Sequence, residues 1–282
     1  MLFPENLGEY LGIDETSLSN GELYTILTNK EAKGKKGTIV AMIKGTESEY
    51  LISILRKLPE GKRRKVKEIT LDMAPSMNLV VKRCFPKAIR VTDRFHVQKL
   101  TFEAVQELRI KYRWEAIDNE NESIKEAKKE KVEYEPIVFE NGDTRRQLLA
   151  RSRYLLFKSK HKWTESQKAR AKVLFELYPI LEKAYNLSMK LTNIFNTSTT
   201  VPQAFTRLAR WYDEVEKSGF ESFKSVAKSI QTHYQTILNF FVNRSTNASA
   251  ESFNAKIKAL RAASRGVRDV NFFLFRIAKI YG

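Results

Sequence analysis

Cysteine is almost absent from the sequence, and long apolar runs are missing. The single cysteine, Cys84, cannot form an internal disulfide, and the sequence has no cluster of cysteine and histidine to bind zinc. No run approaches the roughly 18 consecutive apolar residues that a membrane span needs, and the N-terminus lacks a basic segment followed by an apolar stretch. We therefore expect a cytoplasmic protein without a membrane partner.

Acidic residues are scarce relative to basic ones. Lysine and arginine number 50 against 33 aspartates and glutamates, which gives a formal net charge of +17 at pH 7. Contacts between such a surface and phosphates are favourable because they release counterions from the nucleic acid. The excess therefore predicts a nucleic-acid partner without indicating which sequence it binds.

The first third of the chain alternates strand-like and helix-like patterns. Apolar runs typical of strands are found at residues 9–13, 23–27, 37–43, 66–72 and 88–93. Helical spacing of apolar residues is found at residues 48–58 and 76–84. Three strands with short links predict an antiparallel meander, and the following order of helix, strand, helix, strand predicts that parallel strands extend the sheet.

After Asp93 the pattern is helical almost to the end of the chain. Thr164 opens a capping-box sequence, and Pro179 should kink or divide the helix that follows. Residues 118–138 are rich in Glu and Lys, which predicts a solvated helix extension or a mobile loop. Trp163 and Trp211 are aromatic enough to stack on an unpaired base, although most tryptophans in such helices are core residues.

Three acids are distinguished by their positions. Asp14 closes the first predicted strand, Asp72 closes the fourth, and Glu251 lies in a predicted helix near the C-terminus. The first and fourth strands should lie side by side, so these carboxylates can converge, and they would repel one another unless cations joined them. Two Mg²⁺ ions about 3.5–4 Å apart would orient an attacking hydroxyl and stabilise the leaving oxygen.

Several segments together resemble DDE transposases of the ISL3 insertion-sequence family. The matching segments, which arrive in the family's order, are residues 12–15, 71–73, 91–97, 251–258, 264–268 and 271–277. The resemblance implies an α/β fold with a ribonuclease H-like five-stranded mixed sheet, interrupted by an all-helical insertion. It also implies cleavage and joining of DNA ends with two Mg²⁺ or Mn²⁺ ions.

On this basis we divide the chain into residues 1–96 and 244–282, which form the core, and residues 97–243, which form the insertion. The partners expected for a protein of this kind are transposon ends, target DNA and further copies of the chain, in a bacterial cytoplasm close to the nucleoid. Relatives usually carry an N-terminal end-recognition region that is not seen here. Either a separate polypeptide supplies it, or the chain is truncated.

The assignment of the acids has alternatives. Asp14 and Glu15 point to opposite faces of a strand, so only one of them can join the cluster, and the family motif assigns that role to Asp14. Asp72 has an alternative role as a helix N-cap. Asp93 and His96 form an Asp-x-x-His motif that resembles a supporting signature of related transposases, and in a rival interpretation Asp93 replaces Asp72 as a metal ligand.

The helix of Glu251 should be amphipathic. Phe253, Ile257 and Leu260 form an apolar stripe that would pack on the sheet. The polar face would carry Glu251 beside Asn254, Lys258, Arg261 and Arg265. Such a face suits a helix lying along DNA, where the acid reaches metal and cations neutralise phosphates. The predicted DNA contacts on and around this helix are Arg244, Asn254, Lys256, Lys258, Arg261, Arg265 and Arg268, and those in the insertion are Arg145 and Arg146.

The sequence therefore predicts a metal-dependent polynucleotidyl transferase. Asp14 would bridge two metal ions, Asp72 would hold one and Glu251 the other, with Asp93 and His96 in support. One alternative is a ribonuclease H-like nuclease, for which the long insertion and the basic C-terminal helix would be unnecessary. Another is a catalytically inactive DNA-binding derivative of a mobile element.

Overall fold

A computed structural model describes residues 1–19 and 21–282. The described chain forms two compact units, one comprising residues 1–97 with 233–282 and the other residues 98–232. The predicted insertion of residues 97–243 thus overlaps the second unit, whereas residues 233–243 lie in the first. Among the described residues, no helix is both long and apolar enough to cross a membrane.

A five-stranded mixed sheet is the centre of the first unit, with the strand order β3-β2-β1-β4-β5. β1, β2 and β3 form an antiparallel meander, and β4 and β5 extend it in parallel from β1. The predicted α/β class, topology and side-by-side placement of the first and fourth strands are confirmed. The strands are β1 Tyr10–Ser19, β2 Glu22–Asn29, β3 Ile39–Lys44, β4 Glu68–Leu71 and β5 Ile89–Thr92.

The prediction that Asp14 closes β1 is wrong. β1 continues to Ser19 as a hairpin with β2, whereas its parallel pairing with β4 ends at Gly12, opposite Thr70. The extension arises because β2 supplies hydrogen-bond partners beyond the point where β4 stops. Asp14 lies two residues past this last pair and Asp72 two residues past Thr70, so both acids follow the same end of the parallel pairing.

Helices cover both faces of the sheet. On one face, α1 and α3 pack through apolar side chains against a cluster that includes Leu11 and Ile13. On the other, Phe253 and Ile257 are buried with Ile26 and Met42, which confirms the predicted apolar stripe. Helices within or beginning in the first unit are α1 Ser48–Leu55, α2 Glu60–Arg63, α3 Pro75–Cys84, α4 Arg94–Glu130, α10 Tyr234–Leu238, α11 Phe240–Asn243, α12 Ala248–Ala263 and α13 Val270–Tyr281.

The second unit, within the described residues, is helical apart from one isolated β-bridge between Val138 and Thr144. The capping box at Thr164 is confirmed, and the chain is divided at Pro179 as predicted. α4 extends to Glu130, so the Glu/Lys-rich region is partly a helix extension. The remaining helices are α5 Arg145–Arg151, α6 Glu165–Leu177, α7 Pro179–Thr197, α8 Val201–Ser218 and α9 Glu221–Thr232, with short 3₁₀ turns at Leu155–Phe157 and Lys160–Lys162.

Both tryptophans considered for base stacking have core roles. Trp211 is buried and donates from Nε1 to the Leu187 carbonyl oxygen at 3.0 Å. Trp163 donates from Nε1 to the Leu155 carbonyl oxygen at 2.9 Å and packs beside Tyr185. Neither side chain is presented as a free ring.

Candidate active site

Acidic side chains gather where the parallel strands end. Asp72 directly follows β4, Asp93 directly follows β5, and Asp14 projects from β1 beyond its pairing with β4. Because β1, β4 and β5 are adjacent and parallel, these positions share one edge of the sheet. Glu251 approaches them from the first turn of α12.

Asp14 lies on the face of the sheet that α12 covers. Its neighbours Leu11 and Ile13 pack on the opposite face, and successive strand residues alternate. Oδ1 of Asp14 accepts a hydrogen bond from the backbone N–H of Glu15 at 2.9 Å, and Oδ2 accepts one from Nδ2 of Asn254 at 2.7 Å. By the same alternation, Glu15 points away from α12.

Burial raises the pKa of Asp14 above its ordinary value. The hydrogen bond from Glu15 and the charge of His96 lower the pKa, whereas the charges of Asp72 and Asp93 raise it further. Each of these side chains is thus close enough to Asp14 for its charge to act on it. A cation placed among the carboxylates would relieve this repulsion.

Asp72 is fixed by the turn that leads into α3. Its Oδ1 accepts a hydrogen bond from the backbone N–H of Ala74 at 2.9 Å, which is an Asx turn. The N-cap residue of α3 is Ala74, so the alternative role of Asp72 as that N-cap is wrong. The side chain is half-buried beside the cluster.

Asp93 connects two helix N-termini. It is 1% exposed, and its Oδ1 is 3.5 Å from the backbone nitrogen of Phe95 in α4 and 3.4 Å from that of Asn247, which precedes α12. Nδ1 of His96 is 3.7 Å from Oδ2 of Asp93, and the interaction with Asp93 raises the pKa of the imidazole. Asp93 thus lies just before α4, and His96 lies in the first turn of that helix.

Glu251 is coupled more strongly to Asp93 than to Asp14. Burial is the largest cause that raises the pKa of Glu251. The negative charge of Asp93 raises this pKa further, and by more than the charge of Asp14 does. Sequence reasoning had placed Asp93 in a supporting role, but the fold puts it between α12 and the sheet. Asp93 is therefore one of the acids whose charge acts on both Asp14 and Glu251.

The carboxylate oxygens at this site are the type of ligand that a hard divalent cation prefers. Oδ2 of Asp93 and Oε1 of Glu251 are buried oxygens without a hydrogen-bond partner among the described residues. Within that same part of the chain, no three His, Cys, Asp or Glu side chains form a group that could hold an ion by themselves. Mg²⁺ is usually held by only one or two carboxylates together with waters and substrate phosphates, so the carboxylates present fit this ion.

Two of the predicted DNA contacts on α12 have protein partners. Asn254 is committed to Asp14, and Nζ of Lys256 donates to the Gly34 carbonyl oxygen at 2.8 Å. Lys258 is exposed and Arg261 is half-exposed. Lys258 and Arg261 are therefore the α12 cations best placed to meet a polyanion.

The other predicted contacts lie outside α12. The helix ends at Ala263, so placing Arg265 on its polar face is wrong: Arg265 has a left-handed backbone with φ of 52°, in the exposed turn that also holds Arg268. Arg244 lies over the Phe240 ring at 5.5 Å. Arg145 and Arg146 are exposed in the first turn of α5 in the second unit, where Arg146 is 3.4 Å from Glu120.

Sequence reasoning missed two residues near the acids. Lys30 is nearly buried and contacts Glu68, Thr70 and Ser245, and no local pattern marks it. Asn247 is 1% exposed at the start of α12. An asparagine just before a predicted helix is a recognisable signal, since asparagine is a favoured N-cap.

The mixed sheet carries Asp14 within β1 and has Asp72 and Asp93 directly after β4 and β5. Interrupted in sequence by a helical unit, it has the ribonuclease H-like architecture. A family model described as transposase, of the ISL3 DDE type, matches residues 11–277, and the chain belongs to this family. The resemblance stated from the sequence is thereby confirmed.

A similar curated protein is the transposase for insertion sequence element IS1001 of Bordetella parapertussis. It is 23% identical over 271 residues, which cover 95% of this chain and 60% of the relative. The chain therefore spans about three fifths of the length of this relative.

Proposed function

We propose that the chain is the catalytic core of a transposase that cleaves transposon ends and joins the freed 3′-hydroxyl to target DNA. The observation that carries this proposal is the placement of Asp14, Asp72 and Asp93 where the parallel strands end, with Glu251 in the first turn of the helix that covers this part of the sheet. Four acids held together without a cation destabilise one another, whereas two cations would make the arrangement favourable.

Asp14, Asp72 and Glu251 are the residues that would hold two Mg²⁺ or Mn²⁺ ions. A bound pair of such ions orients the attacking oxygen and stabilises the leaving oxygen of an in-line phosphoryl transfer. Asp93 holds the start of α12 through Asn247 and presents its second oxygen to the same cluster. It is the first candidate to replace or supplement Asp72.

Asn254 and His96 orient the ligands. The carboxamide of Asn254 holds one oxygen of Asp14 in place at 2.7 Å. His96, half-buried beside Asp93, supplies positive charge at the edge of the cluster when protonated. Loss of either side chain would change the orientation of a carboxylate ligand, but the ligand itself would remain.

The proposed partners are transposon ends, target DNA, further copies of the chain and a separate polypeptide for end recognition, in the bacterial cytoplasm near the nucleoid. The net charge of +17 supports a polyanionic partner. Phosphate contacts are assigned to Lys258, Arg261, Arg265 and Arg268, with Arg244, Lys256, Arg145 and Arg146 as further contacts.

The decisive experiment measures cleavage and strand transfer on DNA carrying the element's ends, with and without Mg²⁺ or Mn²⁺. Asp14→Asn and Glu251→Gln should abolish both reactions while the protein still binds DNA. Glu49→Gln is the control, because Glu49 is an exposed acid of α1, paired with Arg83 on the opposite face of the sheet from α12, and this variant should remain active. Cleavage without strand transfer would instead support a nuclease, and DNA binding with no cleavage by the wild type would support an inactive derivative.

A further inference from the structure

The segment before α12 joins two acids of the site through the main chain of Asn247. The backbone N–H of Asn247 faces Oδ1 of Asp93 at 3.4 Å, and its carbonyl oxygen accepts from the backbone N–H of Glu251 at 2.9 Å. A displacement of Asn247 would therefore move both acids relative to each other.

The carboxamide of Asn247 is buried without a partner. Both Oδ1 and Nδ2 lack a hydrogen bond among the described residues, and the residue is 1% exposed. It does not cap α12, whereas the N-cap threonines of α5 and α6 do accept cap hydrogen bonds. The position of this carboxamide is therefore set by packing and not by a hydrogen bond.

Gly12 makes room for the carboxamide. A Cβ atom at position 12 would overlap Oδ1 of Asn247, and it would be 3.2 Å from Oγ1 of Thr28. Gly12 precedes Asp14 by two residues on β1, so both lie on the α12 face of the sheet. The carboxamide of Asn247 therefore fills a space beside the strand that carries Asp14.

We propose that Asn247 is a positioning residue that sets Asp93 and Glu251 relative to each other, with its carboxamide seated against Gly12. The inference rests on the proposed function, in which Asp93 and Glu251 lie at the cation site. The main chain of Asn247 contacts both acids, so the seat of its side chain fixes where they lie.

The test measures Mn²⁺ affinity by titration calorimetry, together with the melting temperature, in the full chain. Asn247→Leu removes the polar atoms and adds bulk beside Gly12, and Asn247→Ser keeps a favoured N-cap and removes the carboxamide. Both should bind Mn²⁺ about 10–100-fold more weakly, which is the usual effect of losing a group that orients metal ligands, and Asn247→Ser should melt near the wild-type temperature. Gly12→Ala should weaken Mn²⁺ binding in the same direction by displacing the carboxamide.

Asn6→Leu is the matched control, because Asn6 is a half-buried asparagine whose Nδ2 donates to the Ile39 carbonyl oxygen at 2.8 Å, away from the acids. It should lower the melting temperature without changing Mn²⁺ affinity. If Asn247→Leu does not fold, Asn247→Ser decides the outcome, and wild-type Mn²⁺ affinity in that variant overturns the inference.

Asp14→Asn separates this inference from the proposed function. Mn²⁺ binding that is lost in Asp14→Asn but retained in both Asn247 variants would overturn the role of Asn247 alone. A wild-type chain that binds no Mn²⁺ would overturn the proposed function, and the role of Asn247 with it.

Discussion

Nζ of Lys30 lies 2.7 Å from the hydroxyl oxygen of Ser245, although 215 residues separate them in sequence. Lys30 follows β2, and Ser245 lies in the segment that leads into α12. The same ammonium contacts Thr70 and, at 3.4 Å, Glu68, which in turn accepts a hydrogen bond from Asn243 at 3.3 Å. A buried polar network thus fastens the approach to the Glu251 helix onto the sheet.

Lys30→Met should destabilise the protein strongly. The Glu68 side chain is 2% exposed, and removing its cation leaves a buried carboxylate without charge compensation, which costs about 3–5 kcal/mol. Lys44→Met is the control, because the Lys44–Glu22 pair is exposed and its loss should cost about 1 kcal/mol or less. Urea unfolding followed by circular dichroism measures both. Equal losses in the two variants would mean that the Lys30 network does not stabilise the fold.

Asp143 should make the second unit sensitive to acid. It is fully buried, and although burial raises its pKa, hydrogen bonds from Arg170 and Arg151 outweigh this and hold the pKa below its ordinary value. Because the folded pKa is depressed, the stabilisation is complete above the unfolded pKa of about 3.9 and is lost as pH falls through the folded value.

Asp143→Asn should therefore cost about 1.5–3 kcal/mol at pH 7, the usual value of hydrogen bonds to a charged group. The difference between the wild type and this variant should stay constant down to about pH 5 and shrink below about pH 4. Thermal melts across this range measure it. Glu165→Gln, at an exposed ion pair with Lys168, is the control and should show no comparable pH dependence. A difference between the wild type and Asp143→Asn that is as large at pH 2–3 as at pH 7 would contradict the assignment.

Phe253→Ala should remove stability and activity together. Phe253 is fully buried between α12 and the sheet, and a buried Phe→Ala change costs about 3–5 kcal/mol. Because α12 also carries Glu251, the cavity would loosen the acid's approach to Asp14. Phe272→Ala on α13 is the matched control, since Phe272 is 59% exposed. Chemical denaturation and the cleavage assay are the measurements, and equal stability of the two variants would contradict the packing role of Phe253.

Patterns local in sequence predicted the elements and their order. Apolar runs of strand length located all five strands, and helical spacing identified the stripe of Phe253 and Ile257 that packs on the sheet. The adjacency of β1 and β4 followed from connection rules, which is why Asp14 and Asp72 were expected together.

Features that depend on partners far away in sequence could not be predicted from local patterns. The length of β1 is set by pairing with β2 beyond Gly12, and a polar stretch such as Thr16-Ser17 resembles a turn until that partner is known. The central position of Asp93 and the burial of Lys30 arise from contacts with residues 154 and 215 positions away. Single residues of this kind produce no periodic pattern, so their importance to the site could not be predicted from the sequence.

The cations of α12 should determine how DNA binding depends on salt. Lys258 and Arg261 lie on the helix that carries Glu251 and retain exposure to solvent, whereas Lys256 is held by Gly34. If each neutralises one phosphate, Lys258→Gln or Arg261→Gln should reduce the slope of log K against log salt by about 0.9 on duplex DNA and weaken binding for all sequences alike.

The control for this measurement is Arg83→Gln. Arg83 is an exposed cation of α3, which packs on the opposite face of the sheet, and it is already paired with Glu49. Binding isotherms by fluorescence anisotropy at several salt concentrations give the slopes, and Arg83→Gln should leave the slope unchanged. A wild-type slope in both α12 variants would mean that DNA does not run along this helix, and the path of the substrate would then have to be sought over other basic surfaces of the chain.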